Sequence, residues 1–191
     1  MKNTVFDEGI RERLIIAGIK EIELHGLNDF SLRRVASMCS VSCAAPYRHF
    51  KNKDELVLGV ISYINSGWDM MGEQIEKAFC GDTQKQLINL CVAIVRFFIA
   101  NSNYISVMLP IKGGLTDEQQ TEREKIWQRI ERRLKQQAKE RGLAAEKTEE
   151  LEYLLKTLIF GTVMVLEELS AEECEKKLTF MRTELERIIN S

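Results

Sequence analysis

The sequence predicts an all-α fold of about nine helices, and three observations carry that expectation. Two prolines and eleven glycines in 191 residues leave little material for the closely spaced turns of a β-sandwich. Apolar residues recur at three- and four-residue spacing rather than in strict alternation. Glycines and capping residues fall between these runs, where helices stop and start. At 45 % hydrophobic residues the chain can bury a real core, as one large domain or as a small domain joined to a medium one.

Each element has its own signal. Ile10, Leu14, Gly18 and Ile22, widened by Ile15, place a helix from Phe6 to His25, with Gly26 as its stop. Ser31 caps a short second helix whose inner face is Leu32, Val35, Ala36 and Cys39. Ser40 and Val41 make a turn. Ser42 caps a third helix through Tyr47 or His49, kept short or slightly distorted by Pro46. Asn52 or Lys53 opens a long helix to about Phe79, and Cys80-Gly81-Asp82 breaks it. Asp82 or Thr83 caps the next, 83–101, which is apolar almost all round and belongs inside a bundle. A short helix from Tyr104 to Leu109 ends at Pro110 and Gly113-Gly114. Thr116 or Asp117 starts a long charged helix to Arg141, stopped by Gly142. Two more helices, 145–168 and 171–189, complete the chain. The expected division is a head, 1–52, and a helical body, 53–191.

Several classes are disfavoured. No run of about 18 uninterrupted apolar residues is present, and Met1 to Arg13 is mostly polar, so neither a membrane partner nor a signal peptide is expected and the location is cytoplasmic. The cysteines, Cys39, Cys43, Cys80, Cys91 and Cys174, are odd in number and scattered, without histidines at metal-ligand spacing. They read as reduced, mostly buried thiols, with no metal and no cofactor. A redox-sensing or partner-controlled protein is the alternative, and Cys43 is its best candidate. Neither a nucleophile–base pairing nor a phosphate-cradling glycine loop is seen, so catalytic residues are not assigned; a helical enzyme or carrier is the less favoured class.

Charge points elsewhere. Between Ser31 and Lys53 lie five basic residues, Arg33, Arg34, Arg48, Lys51 and Lys53, and no acid, in a chain of net charge −2. A compact basic helix-turn-helix inside a mildly acidic protein is the footprint of a duplex-binding head. The second helix of such a pair lies in the major groove. Ser42, Cys43, Ala44 and Ala45 are small enough to approach base edges, and Arg48 can grip guanine in a bidentate way. Ser31, Arg33, Arg34, Tyr47, His49, Lys51 and Lys53 are assigned to phosphates.

The first 56 residues resemble the tetracycline-repressor (TetR) family of transcriptional regulators. Arg11-Glu12-Arg13-Leu14-Ile15 with Ala17 and Gly26 is similar to its first helix. Ser31, Arg33, Val35 and Ala36 are similar to its second. Val41-Ser42, Tyr47, His49-Phe50 and Lys53-Asp54-Glu55-Leu56 are similar to its recognition helix and exit. Ser40 stands for the usual turn glycine and is expected at positive φ, Gly18 for an alanine, and Glu21 for an apolar residue.

One head reads few base pairs, so a homodimer on operator DNA is expected. Leu151, Leu155, Leu158, Gly161 and Thr162, with Leu178, Met181, Leu185 and Ile188, are its candidate interface, a four-helix arrangement that the resemblance also implies. A small-molecule effector, largely apolar, is expected among Trp68, Met71, Phe97, Phe98, Tyr104, Met108 and Trp127, with Arg96 and Asn101 to orient it. Its binding would release a repressor from DNA.

Overall fold

A computed structural model describes residues 3–109, 114–166 and 169–190, with side chains from Gly9 onward. Pro110 and Gly113, expected to end the short helix, lie outside the described residues. The described residues form nine α-helices and no strand: α1 Asn3–His25, α2 Leu32–Met38, α3 Lys53–Ala78, α4 Thr83–Ala100, α5 Ile105–Met108, α6 Asp117–Glu124, α7 Gln128–Arg141, α8 Ala145–Leu166 and α9 Ala171–Asn190. Three short 3-10 helices, Pro46–Arg48, Ser102–Tyr104 and Lys125–Trp127, join them.

Most of the expected caps are in place, Ser42 excepted. Ser31 Oγ accepts the Arg34 N–H, Asn52 Oδ1 the Glu55 N–H and Asp82 Oδ1 the Lys85 N–H. Thr116 and Gln119 form a reciprocal capping box at the start of α6. Gly26, Gly81 and Gly142 take positive φ at the helix ends.

Two compact units emerge, one of residues 1–67 with 103–125, the other of 68–102 with 126–191, so α3 runs through both. In the first unit Leu14, Ile19, Ile22, Val35, Phe50, Leu56 and Val60 are buried. Gly18 lets α1 approach α3 closely, because a Cβ there would meet Val60 Cγ2 at 3.1 Å. α6 is held on α3 by polar staples. Gln119 Nε2 donates to the Asp54 carbonyl at 2.9 Å, Ser62 Oγ to Glu122 Oε1 at 3.0 Å, and Asn65 Nδ2 to the Glu122 carbonyl at 2.6 Å.

That last bond accounts for a difference from the sequence reading. The single helix expected over 116–141 is interrupted at Lys125–Trp127. Asn65 places a donor on the Glu122 carbonyl, and the Lys125 N–H turns back to the same carbonyl in 3-10 fashion. A side chain inserted into the helical ladder breaks it.

In the second unit α4 is central and packs against α7, α8 and α9. Its buried residues run from Thr83 to Phe98. It is the one helix among the described residues long and apolar enough to cross a membrane, and 61 % of it is buried, as in a bundle core. Arg129 and Arg133 on α7 pair with Glu76 on α3, and Arg141 donates to the last carbonyls of α9, at Ile189 and Asn190.

Candidate nucleic-acid interface

The head is organised around a buried acid. Glu21 on α1 is fully buried (0 % exposed). Its Oε1 accepts the Ser31 N–H at 3.1 Å and Arg34 Nε at 2.7 Å, fixing the start of α2 on α1. His25 Nε2 lies 3.9 Å from Oε2. Arg34 also reaches the Asp29 carbonyl and carboxylate. The hydrogen bond to Glu21 holds the Arg34 guanidinium more firmly charged than a free arginine.

The turn after α2 takes the strained conformation expected of it. Ser40 has φ 55°, the one non-glycine residue in the left-handed region among the described residues. Its N–H donates to Ser37 O, and the Val41 N–H to Ala36 O. Beyond this turn the chain does not form the third α-helix expected from the sequence. Residues 43–45 are turn, and Pro46–Arg48 is one turn of 3-10 helix. Proline has no N–H for the Ser42 carbonyl, which instead accepts from Ala45 at 2.9 Å. The next bonds also reach three residues back, Arg48 to Ala45 and His49 to Pro46.

This segment still displays most of the assigned residues. Ser42, Cys43, Ala44, Arg48 and Lys51 are exposed, as is Tyr47 at 59 %. Arg33 is exposed on α2, while Ser31, Ala45 and His49 are half-buried. Two assigned cations are occupied within the head. Arg34 is held by Glu21 and Asp29, and Lys53 Nζ donates to the Leu27 carbonyl at 2.8 Å above the Phe30 ring. Met38 and Ser40, not assigned to DNA from the sequence, are exposed beside the turn. Cys39 is buried against α1, its thiol donating to the Arg13 carbonyl at 3.3 Å; burial pushes its pKa up, partly offset by the Arg13 charge.

Of the residues assigned to a ligand, Trp68, Phe97 and Phe98 form one cluster, with ring centroids 6.0 Å and 5.8 Å apart. Trp127 is buried against Phe160, at 4.9 Å. Met71 is on the surface; Tyr104 (half-buried) and Met108 (buried) belong to the other unit. Arg96 is tied to Glu175, and Asn101 to the Phe97 carbonyl. Cys91 lies deep in α4, where burial pushes its pKa up to about 12.

Of those assigned to a dimer, Leu151, Leu155, Leu178, Met181 and Leu185 are buried in the chain's own core. Leu158, Thr162 and Ile188 are half-buried and Gly161 is exposed. The exposed apolar side chains of α8 and α9 include Leu154, Met164, Val165 and Phe180.

A short basic α2-turn-3-10 head, followed by a long exit helix and a helical body, defines a helix-turn-helix DNA-binding protein. Residues 14–60 match the family described as bacterial regulatory proteins, tetR family. Over that segment the chain is similar to the family's DNA-binding head, and its fold is that of solved TetR-family transcriptional regulators. A proposed fatty acid metabolism regulator from Clostridium perfringens superposes with TM-score 0.74 at 19 % identity, covering 93 % of this chain and 97 % of that one. The TetR-family regulator PfmR from Thermus thermophilus gives 0.71 at 18 % identity, covering 94 % and 95 %. The regulator FadR from Bacillus subtilis, solved in complex with stearoyl-CoA, gives 0.69 at 14 % identity, covering 93 % and 97 %. At these identities the likeness is one of fold. Comparison with curated protein sequences returns no match.

Proposed function

We propose that the protein is a cytoplasmic transcriptional repressor that binds duplex operator DNA as a homodimer and releases it when a largely apolar small molecule enters the body. The observation that carries this reading is the exposed edge of the head. Ser42, Cys43 and Ala44 are small and exposed, and Tyr47, Arg48, Lys51 and Arg33 are exposed as well. Small side chains admit base edges closely, Arg48 supplies the strong base-reading group, and Arg33 and Lys51 hold phosphates.

A second copy is supported by the outer faces of α8 and α9. A groove of about 350 Å3 there is lined by Leu158, Gly161, Val165 and Phe180 among others. A Cβ on Gly161 would meet nothing within 4 Å, so this face is open for close approach by another helix. Two heads then read half-sites roughly 34–36 Å apart or at a multiple of that spacing. The effector reading is supported by the buried aromatic cluster of the body and by FadR, whose solved complex holds stearoyl-CoA. Release follows from population shift: the effector binds the DNA-free form better than the DNA-bound form.

A gel-shift titration against duplex from the promoter beside the gene, at several salt concentrations, tests this. The expected result is specific binding that weakens steeply with salt and is lost on adding an apolar effector. Binding without sequence preference would end the operator reading. Exposed Cys43 in the recognition segment supports a second reading, in which modification of that thiol releases the DNA. Release by a thiol reagent, abolished by Cys43→Ser, separates the two.

A further inference from the structure

Trp68, on α3, brings a polar group into the body unit without a use for it. Its indole is 1 % exposed, and Nε1–H has no hydrogen-bond partner in the protein. A buried indole N–H normally finds an acceptor, because leaving the bond unmade forfeits what water supplied. The Phe97 ring lies beside it with centroids 6.0 Å apart, and Phe98 packs edge-on against Phe97. From Leu87 to Phe98 the buried side chains of α4 are apolar or thiol. Among them, Phe97 sets an apolar ring beside the indole.

We infer that the effector is a neutral, mostly apolar molecule that presents one acceptor oxygen, from an ester, thioester, ketone, ether or alcohol, to Trp68 Nε1. This rests on the ligand-release reading above and narrows it. The aromatic rings receive the apolar part. The indole takes the oxygen, satisfying the donor and orienting the molecule. A carboxylate is selected against at this position, since an ionised oxygen against an apolar wall is costly to desolvate.

The test uses the full-length protein with its two tryptophans carrying 15N in the indole ring. The Trp127→Phe variant assigns the two indole signals. Methyl esters of increasing chain length are titrated beside alkanes and free carboxylates of the same lengths. The expected result is that an ester moves the Trp68 indole proton downfield and an alkane does not. Trp68→Phe then weakens ester binding about tenfold, the scale of one neutral hydrogen bond, and leaves alkane binding unchanged. The alkane arm also reports that the variant still folds. The inference is overturned if no ester moves the Trp68 signal, if Trp68→Phe binds the ester as the wild type does, or if free carboxylates bind at least as tightly as esters at that site. A water molecule on the indole would give ester and alkane equal affinity, which also overturns it. The same esters are run in the gel shift. Release of DNA with an unmoved Trp68 signal sinks the inference and keeps the regulator reading. A moved signal with DNA still bound keeps the contact and sinks the release reading.

Discussion

Arg33 and Arg34 are neighbours in the chain and have different surroundings. Arg33 is exposed on α2, while Arg34 is spent on Glu21 and Asp29. Arg33→Ala is expected to reduce the slope of log affinity against log salt by about 0.9, the share of one phosphate, with the melting temperature unchanged. Arg34→Ala is expected to lower the melting temperature, because Glu21 stays buried without its cation, and to leave the salt slope alone. Filter binding over a salt series, beside thermal melts of both variants, checks the pair. Ser40 offers a second contrast. It holds φ 55°, where an L side chain is strained and glycine is not. Ser40→Gly is expected to stabilise the protein by about 0.5–1 kcal/mol, read as a raised denaturation midpoint. The strain at Ser40 was legible through the family resemblance, because Ser40 stands where that family has its turn glycine. The roles of Arg33 and Arg34 were not. Both are basic residues on one short helix, and only the burial of Glu21, ten or more positions away, decides which faces out.

Helices were legible where local chemistry sets them. Ser31, Asp82, Thr116 and Gly142 each carry a cap that follows from side-chain or backbone geometry alone. Two departures from the expected elements differ in how far the sequence displays them: a distortion at Pro46 was expected but not the loss of the α-helix, and the break at Lys125 was not expected. Pro46 removes the N–H that an α-turn over Ser42 needs, so the recognition segment ends in 3-10 form. Asn65 takes the Glu122 carbonyl and interrupts the helix expected over 116–141. The staple on α6 also titrates. Burial pushes the Glu122 carboxyl up, but hydrogen bonds from Lys125, Ser62 and Asn65 and the Lys125 charge outweigh it, so its pKa ends below the usual carboxylate range. A depressed folded pKa contributes stability that is present above the unfolded value, about 4.3, and is lost as pH falls through the folded value. Melting temperature followed from pH 6 down to about pH 3 should therefore fall more steeply in the wild type than in Glu122→Gln. Parallel curves would mean that the staple contributes nothing in acid.

For the molecule as a whole, the proposed dimer turns on which apolar stripe of α8 faces outward. α8 carries leucines at 151, 154, 155 and 158, enough for two stripes, and spacing alone does not say which turns inward. Leu151, Leu155, Ile159, Val163 and Leu166 are buried, leaving Leu154, Met164 and Val165 outside with Phe180 of α9. Val165→Asp with Phe180→Asp is expected to give a monomer by light scattering. It should also weaken operator binding by at least tenfold, since one half-site is lost. An unchanged dimer would move the interface elsewhere. α4 has a further consequence, for synthesis of the chain. Three helices packed on it in its unit, α7, α8 and α9, are encoded after it. At roughly 5–20 residues per second, the remaining 90 or so residues take about 5–20 s to emerge. Through that interval a helix apolar enough to enter a bilayer waits without those three partners. Truncation ahead of α7 is therefore expected to leave an aggregating fragment, read by light scattering.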